Sequence, residues 1–297
     1  MDSSALECLR QAGRINRDCR EWAADAIRPG VTIQSVLEGV EARIRDLGGV
    51  PAFPAQSSRN EIAAHYCSGL RDDETYEAGD CVKIDLGVHV DGYIADSACT
   101  VDLSEDGRWG ALIQASRDAL NAAIALVQPG RKVGEIGAAV ERTIVGAGFQ
   151  PVRNLTGHGL ARWKVHTSPQ IPSYAERSRD TLPAEQAIAI EPFACTGRGM
   201  IREEGKAEVF MMVRPPRKAK GLDKDILNAI TAWRGLPIAR RYFQEFDAKD
   251  VDATITALAR QGSLMRYPPL VEQPGVMVAQ SEHTLYLGAD GVEIITA

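Results

Sequence analysis

The sequence has no CxxC pair, no apolar run of membrane-spanning length and no excess of positive charge. Each absence excludes a class. The six cysteines (Cys8, Cys19, Cys67, Cys81, Cys99 and Cys195) follow no regular spacing, which argues against a disulfide framework or a structural zinc site and suits reduced thiols. A membrane-crossing helix needs about 20 consecutive apolar residues, and no stretch approaches that. The first 22 residues are charged and helical in pattern, unlike a signal sequence. A soluble, cytoplasmic protein is expected. The formal net charge of −6 argues against a general binder of nucleic acid or acidic membrane, since phosphate binding needs a basic surface. One local run, 214–224, holds Arg214, Arg217, Lys218, Lys220 and Lys224. It reads as a solvated loop, with docking on ribosomal RNA as the alternative.

What is present is ordinary in bulk and informative in pattern. With 297 residues, 44% hydrophobic and 25% charged, the chain can bury a large core as one large domain or two ordinary ones. Residues 27–51 overlay 127–151 at a constant offset, placing Pro29-Gly30 on Pro129-Gly130, Glu41 on Glu141 and Gly48 on Gly148. Apolar positions in both copies step by three and four, so each predicts an amphipathic helix between a Pro-Gly turn and a closing glycine. A second overlay sets 74–87 on 180–193, with Ile84 on Ile190 and Asp85 on Glu191. Both end in strand-like alternation. Helix, strand and terminal carboxylate recur in one order, which predicts a duplicated half-domain whose carboxylates meet at a shared centre. Residues 214–265 interrupt the second half and read as short helices, a helical insertion packed on the same domain.

The segment 82–101 predicts a hairpin around Asp91-Gly92. In that register Gly87 faces Asp96, so Asp85 and Asp96 are diagonal neighbours roughly 7–8 Å apart at the backbone. They repel unless a cation lies between them or one is protonated. Gly87 is expected to leave room for that cation. Alone, the hairpin reads better as two solvated aspartates; the rest of the chain shifts that reading. His158 and His166 lie in a glycine-rich stretch, while Glu191 and Glu282 sit in apolar strands, where an unpartnered carboxylate is costly. Four carboxylates and one imidazole suit hard or borderline ions such as Mn, Fe or Co. Such an ion pair makes bridging water nucleophilic near neutral pH. His89 and His283 read as structural.

Together these residues resemble the methionine aminopeptidases of the creatinase/prolidase superfamily. The resemblance runs through PAFP (51–54), NEIAAHY (60–66), KIDLGVHVDGYIAD (83–96), NLTGHGL (154–160), AIEPF (189–193) and AQSEHT (279–284). It implies an α+β pita-bread fold: two pseudo-symmetric helix-strand halves around a curved antiparallel sheet, forming one catalytic domain over 1–297. It also implies two divalent ions per chain, drawn from Co, Mn, Fe, Ni and Zn. Asp85 would chelate one, His158 and Glu191 the other, and Asp96 and Glu282 would bridge both. His65 and His166 would contact substrate at the scissile amide, with Glu191 moving the proton. Phe53, Val165 and His166 would line the methionine pocket. Nascent polypeptide N-termini with a small second residue are the implied substrates; a monomer is the default expectation, with ribosome contact left open.

Chain layout selects a branch. Only 84 residues precede Asp85, unlike aminopeptidase P and prolidase with their large N-terminal domain. Glu191 and Glu282 lie 91 positions apart, a separation that resembles type 2 enzymes, in the archaeal form without a charged N-terminal extension. The wording at 55–58 and 65–69 departs from the commoner family pattern. Two other readings compete: an Xaa-Pro dipeptidase, and a non-catalytic peptide-binding module on the same scaffold.

Overall fold

The computed structural model describes residues 1–218 and 221–297; Lys220 of the basic run lies outside them. The first helix, α1 (Ser3–Ala26), starts at Asp2, whose carboxylate accepts from the Ala5 N–H at 2.8 Å. Leu9, Ala12, Cys19 and Ala23 form its buried stripe. A turn with Gly30 at φ 85° leads into α2 (Ile33–Asp46), and Gly48 at φ 86° closes it. Short strands β1 (Val50–Pro51), β2 (Gln56–Arg59) and β3 (Ile62–Ala64) precede the long hairpin of β4 (Cys81–Val90) and β5 (Tyr93–Asp102). Its register pairs Val90 with Tyr93 and Gly87 with Asp96, as the Asp-Gly turn predicts.

The second half repeats the plan. Helices α3 (Gly110–Ile124) and α4 (Val133–Gly146) lead to β6 (Gln150–Pro151), the hairpin β7 (Thr156–Ala161) and β8 (Lys164–Pro172), and then β9 (Gln186–Ile190) and β10 (Phe193–Cys195). Both overlays are visible as hydrogen bonds. Thr32 bridges to Thr75, and Lys132 bridges to Thr181. Pro51 pairs with Val88, and Pro151 pairs with Ala194. The repeated sequence is a repeated structure.

After β11 (Arg202–Glu203) comes the interruption. It contains α5 (Lys224–Thr231) and α6 (Ala248–Arg260), but strands as well. Among these, β12 (Val209–Met212) is flanked by β13 (Ile238–Ala239) and β14 (Leu264–Tyr267) in a three-stranded sheet. The expectation of short helices therefore misses the sheet. The stretch 237–246, read as helix, is a strand followed by a single 3-10 turn at Arg240–Phe243. Its apolar residues Ile238 and Phe243 are buried against Phe210, Ile255 and Leu258, which reward burial in either conformation. The chain ends in β15 (Leu270–Val271), β16 (Val278–Gln280), β17 (His283–Gly288) and β18 (Gly291–Ile294).

Helices lie on one side of the strands in both halves. Ile84, Leu86 and Val88 of β4 are buried in the cluster with Leu37, Val40 and Ile44 of α2. Ile188 and Ile190 of β9 are buried with Ile136 and Ile144 of α4. Strand residues alternate faces, so Asp85 and Glu191 emerge on the side away from the helices. The halves are stitched by threonine hydroxyls as well as main chain. Thr100 Oγ1 donates to the Gln280 carbonyl and accepts from its N–H, both at 2.8 Å. Thr284 Oγ1 does the same for Asp96, again at 2.8 Å. This seam sets β5 of one half beside β16 and β17 of the other.

Candidate metal centre

All five sequence-derived ligand candidates converge at the seam. Asp85 and Asp96 come from β4 and β5. His158 comes from β7. Glu191 lies between β9 and β10, facing Glu282 between β16 and β17, where both strands break their ladder. The Glu282 N–H donates across the seam to the Ala98 carbonyl at 3.0 Å, fixing that break against β5. His158 Nε2 lies 3.6 Å from Glu191 Oε1 and 3.8 Å from Asp96 Oδ2. Donor atoms of Asp96, His158 and Glu282 fall within 4.8 Å of one another.

The electrostatics favour either protons or a cation among the carboxylates. Burial pushes the Asp85 carboxyl up to about 7, with the Gln280 amide opposing. Burial raises Asp96 well above the usual range, and the Asp85 and Glu191 charges add to it. Glu191 is raised by burial and by Asp85. Glu282 is raised by burial and by Asp96, Glu191 and Asp85. Burial and the neighbouring His166 push His158 down to about 3, leaving its imidazole neutral, as a ligand must be. Asp85 Oδ1 and Asp96 Oδ1 are buried without a hydrogen-bond partner. Orphaned carboxylate oxygens are expensive in an apolar interior and are natural cation ligands. The residues fit a divalent metal.

The remaining candidates line the same cavity of about 230 Å³. His65 follows β3 in the left-handed conformation (φ 68°), with its N–H donating to Gln56 Oε1 at 3.0 Å. Its ring meets Tyr267 edge-on, 5.5 Å between centroids. Burial and His166 lower its pKa to about 4. His166, on β8, stands 4.4 Å from the His158 ring and is exposed at the mouth. Phe53 and Val165 supply apolar wall.

One expectation fails in detail. The space over Gly87 holds the Phe53 ring, whose Cε1 would lie 2.3 Å from an added Cβ. Gly87 makes room for a pocket wall rather than a cation. Sequence reasoning also missed Gln280, fully buried, whose Nε2 lies 3.3–3.5 Å from oxygens of Glu282, Glu191 and Asp85. Its place two residues before Glu282 on a strand puts both on one face, which is the signal that could have found it. Val209, Pro237 and Tyr267 reach the cavity from the interrupting segment. No periodicity links that segment to the site.

His89 and His283 are structural in their contacts. His89 Nδ1 accepts from the Gly92 N–H, and His283 Nδ1 bonds Thr296 Oγ1 at 2.8 Å.

The model for metallopeptidase family M24 matches residues 7–214. The chain is 42% identical to the methionine aminopeptidase of Archaeoglobus fulgidus over the whole of both chains. Among solved structures, it is similar to the methionine aminopeptidase of Thermotoga maritima, with TM-score 0.73 and 23% identity over 100% of this chain and 98% of that one. It is also similar to a thermophilic Arx1, with TM-score 0.86 and 15% identity over 99% and 91%. Those likenesses show the pita-bread fold. Two fused halves, a carboxylate-rich seam that fits a metal and the matching family model all lead to one assignment: the chain belongs to metallopeptidase family M24.

Proposed function

We propose that this chain removes N-terminal methionine from proteins and peptides, as a type 2, archaeal-like methionine aminopeptidase with two divalent ions. The observation that carries the site is that four carboxylates and one neutral imidazole line one cavity, with Asp85 Oδ1 and Asp96 Oδ1 buried and unpartnered. Asp85 would hold one ion, His158 and Glu191 the other, with Asp96 and Glu282 shared. Which of Co, Mn, Fe, Ni or Zn serves is set by supply as well as by these ligands. Bound there, such ions supply Lewis acidity and an activated water.

The protein groups do the rest. Phe53 and Val165 offer apolar surface to a methionine side chain, with Phe193 and Tyr267 beside them. Neutral His65 and His166 donate hydrogen bonds to the scissile carbonyl as negative charge grows on its oxygen. Glu191 takes the proton from the attacking water and returns it to the leaving amine. A small second residue completes the substrate reading.

We read 1–297 as one catalytic domain. Its interrupting segment, 214–265, is framed by the paired strands β12 and β14 at 209–212 and 264–267. No helix is long and apolar enough to cross a membrane among the described residues. A cytoplasmic monomer that meets nascent chains at the ribosome, without specific nucleic-acid binding, completes the reading. The test is release of methionine from Met-Ala-Ser with Co or Mn supplied. No release from that peptide, or cleavage of Met-Pro dipeptide in its place, overturns it.

A further inference from the structure

A separate cavity of about 270 Å³ lies between α1, α3, β5 and the turn at 281–283. Arg20 of α1, Cys99 of β5, Arg117 and Asn121 of α3, and Ser281 and His283 line it. Arg20 is half-buried at this cavity and Arg117 is exposed at its edge. Elsewhere arginines of the interior meet carboxylates: Arg241 pairs with Glu41, and Arg240 with Glu208. Among the described residues neither Arg20 nor Arg117 forms an ion pair. Arg20 Nη2 donates only to the Thr296 carbonyl, at 3.0 Å, and its Nη1 is buried with no partner. The carboxylate of Glu282, which also borders this cavity, is engaged by Gln280 at the metal centre.

Arg20 is half-buried and feels the Glu21 and Glu282 charges, but its buried Nη1 has no acceptor, and an anion in the cavity would supply one. The guanidinium fork matches an oxoanion with two parallel donors. Neutral donors stand with it. His283 Nδ1 is paired with Thr296 Oγ1, so its Nε2 is the ring nitrogen left to meet a ligand. Both guanidiniums line this one cavity beside Cys99, and both offset the upward push of burial on its thiol.

We propose that this cavity is a binding site for a small oxoanion of the phosphate class, clasped by Arg20 and Arg117 with His283 and Asn121 as neutral donors. A water occupies about 30 Å³, so the space takes a phosphate with a few waters, and favours the free anion over a nucleotide. An anion held there ties α1 and α3 to the turn that carries Glu282, at a point remote from the methionine pocket.

Titration calorimetry of inorganic phosphate into the manganese-loaded full chain tests this. The expected result is one saturable site per chain, weakened at least about tenfold in Arg117→Gln. Arg117 is exposed, so that variant folds. Arg20→Gln gives the same loss, while Arg142→Gln, on the exposed face of α4, changes nothing. AMP failing to displace phosphate assigns the site to the free anion; equal displacement assigns it to phosphomonoesters, with the arginine pair still the receptor. A tungstate soak should place its anomalous peak between Arg20 and Arg117. Absence of saturable binding, or phosphate binding indifferent to Arg117→Gln (as at the metals), overturns the proposal.

Discussion

The two halves share a backbone plan and differ in what one equivalent glutamate does. Glu41 and Glu141 occupy matching positions on α2 and α4, and each accepts a backbone N–H, from Ala55 at 3.1 Å and from Ala175 at 2.9 Å. Glu141 adds only a partly exposed pair with Arg153. Glu41 is 3% exposed and accepts from both terminal nitrogens of Arg241, at 2.7 and 2.6 Å, and from the Tyr242 hydroxyl at 2.7 Å. Glu141 thus holds local backbone, while Glu41 also anchors the interrupting segment. That segment supplies Val209, Pro237 and Tyr267 to the pocket, so the anchor reaches the site through packing.

The centre divides in the same way: Asp85, Asp96 and His65 come from the first half, and His158, Glu191, Glu282 and His166 from the second. If Asp96 and Glu282 are shared ligands, one from each half, Asp96→Asn weakens both metal sites together, by more than about 100-fold in affinity. Retention of one full-affinity site by calorimetry would break the equivalence. Next in size, Glu41→Ala leaves Arg241 buried and unpaired and should cost about 3–5 kcal/mol in denaturant unfolding. His65→Ala should lower kcat on the order of 10²–10³ with metal content unchanged, because His65 is proposed to meet substrate rather than metal; metal analysis alongside the kinetics separates the two roles. Smallest is Glu141→Ala, about 0.2–1 kcal/mol, since its ion pair is solvated. Equal losses at Glu41 and Glu141 would remove the asymmetry between the halves.

Metal removal sharpens the comparison at the seam. Without cations the folded chain holds protons on Asp85, Asp96, Glu191 and Glu282 that the unfolded chain releases. Raised folded pKa values mean that stability falls as pH rises from the ordinary carboxylate range, near 4, through about 7 for Asp85. The metal-free chain should therefore melt lower at pH 8 than at pH 5 in scanning calorimetry. Loading with Mn should flatten that dependence.

Much of this was legible in the residues, for definite reasons. The repeat shows in sequence because Pro-Gly turns and closing glycines serve backbone geometry that few residues satisfy, as at Gly30 and Gly130 with φ 85° and 82°. The Asp91-Gly92 turn fixes register, and register fixes which face Asp85 and Asp96 share. What stayed hidden depends on contacts between distant segments. The Thr100 and Thr284 seam joins residues 180 or more positions apart, and threonine on a strand has no pattern that names its partner. Gly87 reads as empty space until Phe53 is seen to fill it. The strands at 209–212, 238–239 and 264–267 are short and separated by helices, so their pairing leaves no local period.

Anomalous scattering from crystals grown with Mn tests the central claim most directly. The account predicts two peaks: one ligated by Asp85, one by His158 and Glu191, with Asp96 and Glu282 reaching both. A single peak, or ions bound away from these five side chains, would contradict it.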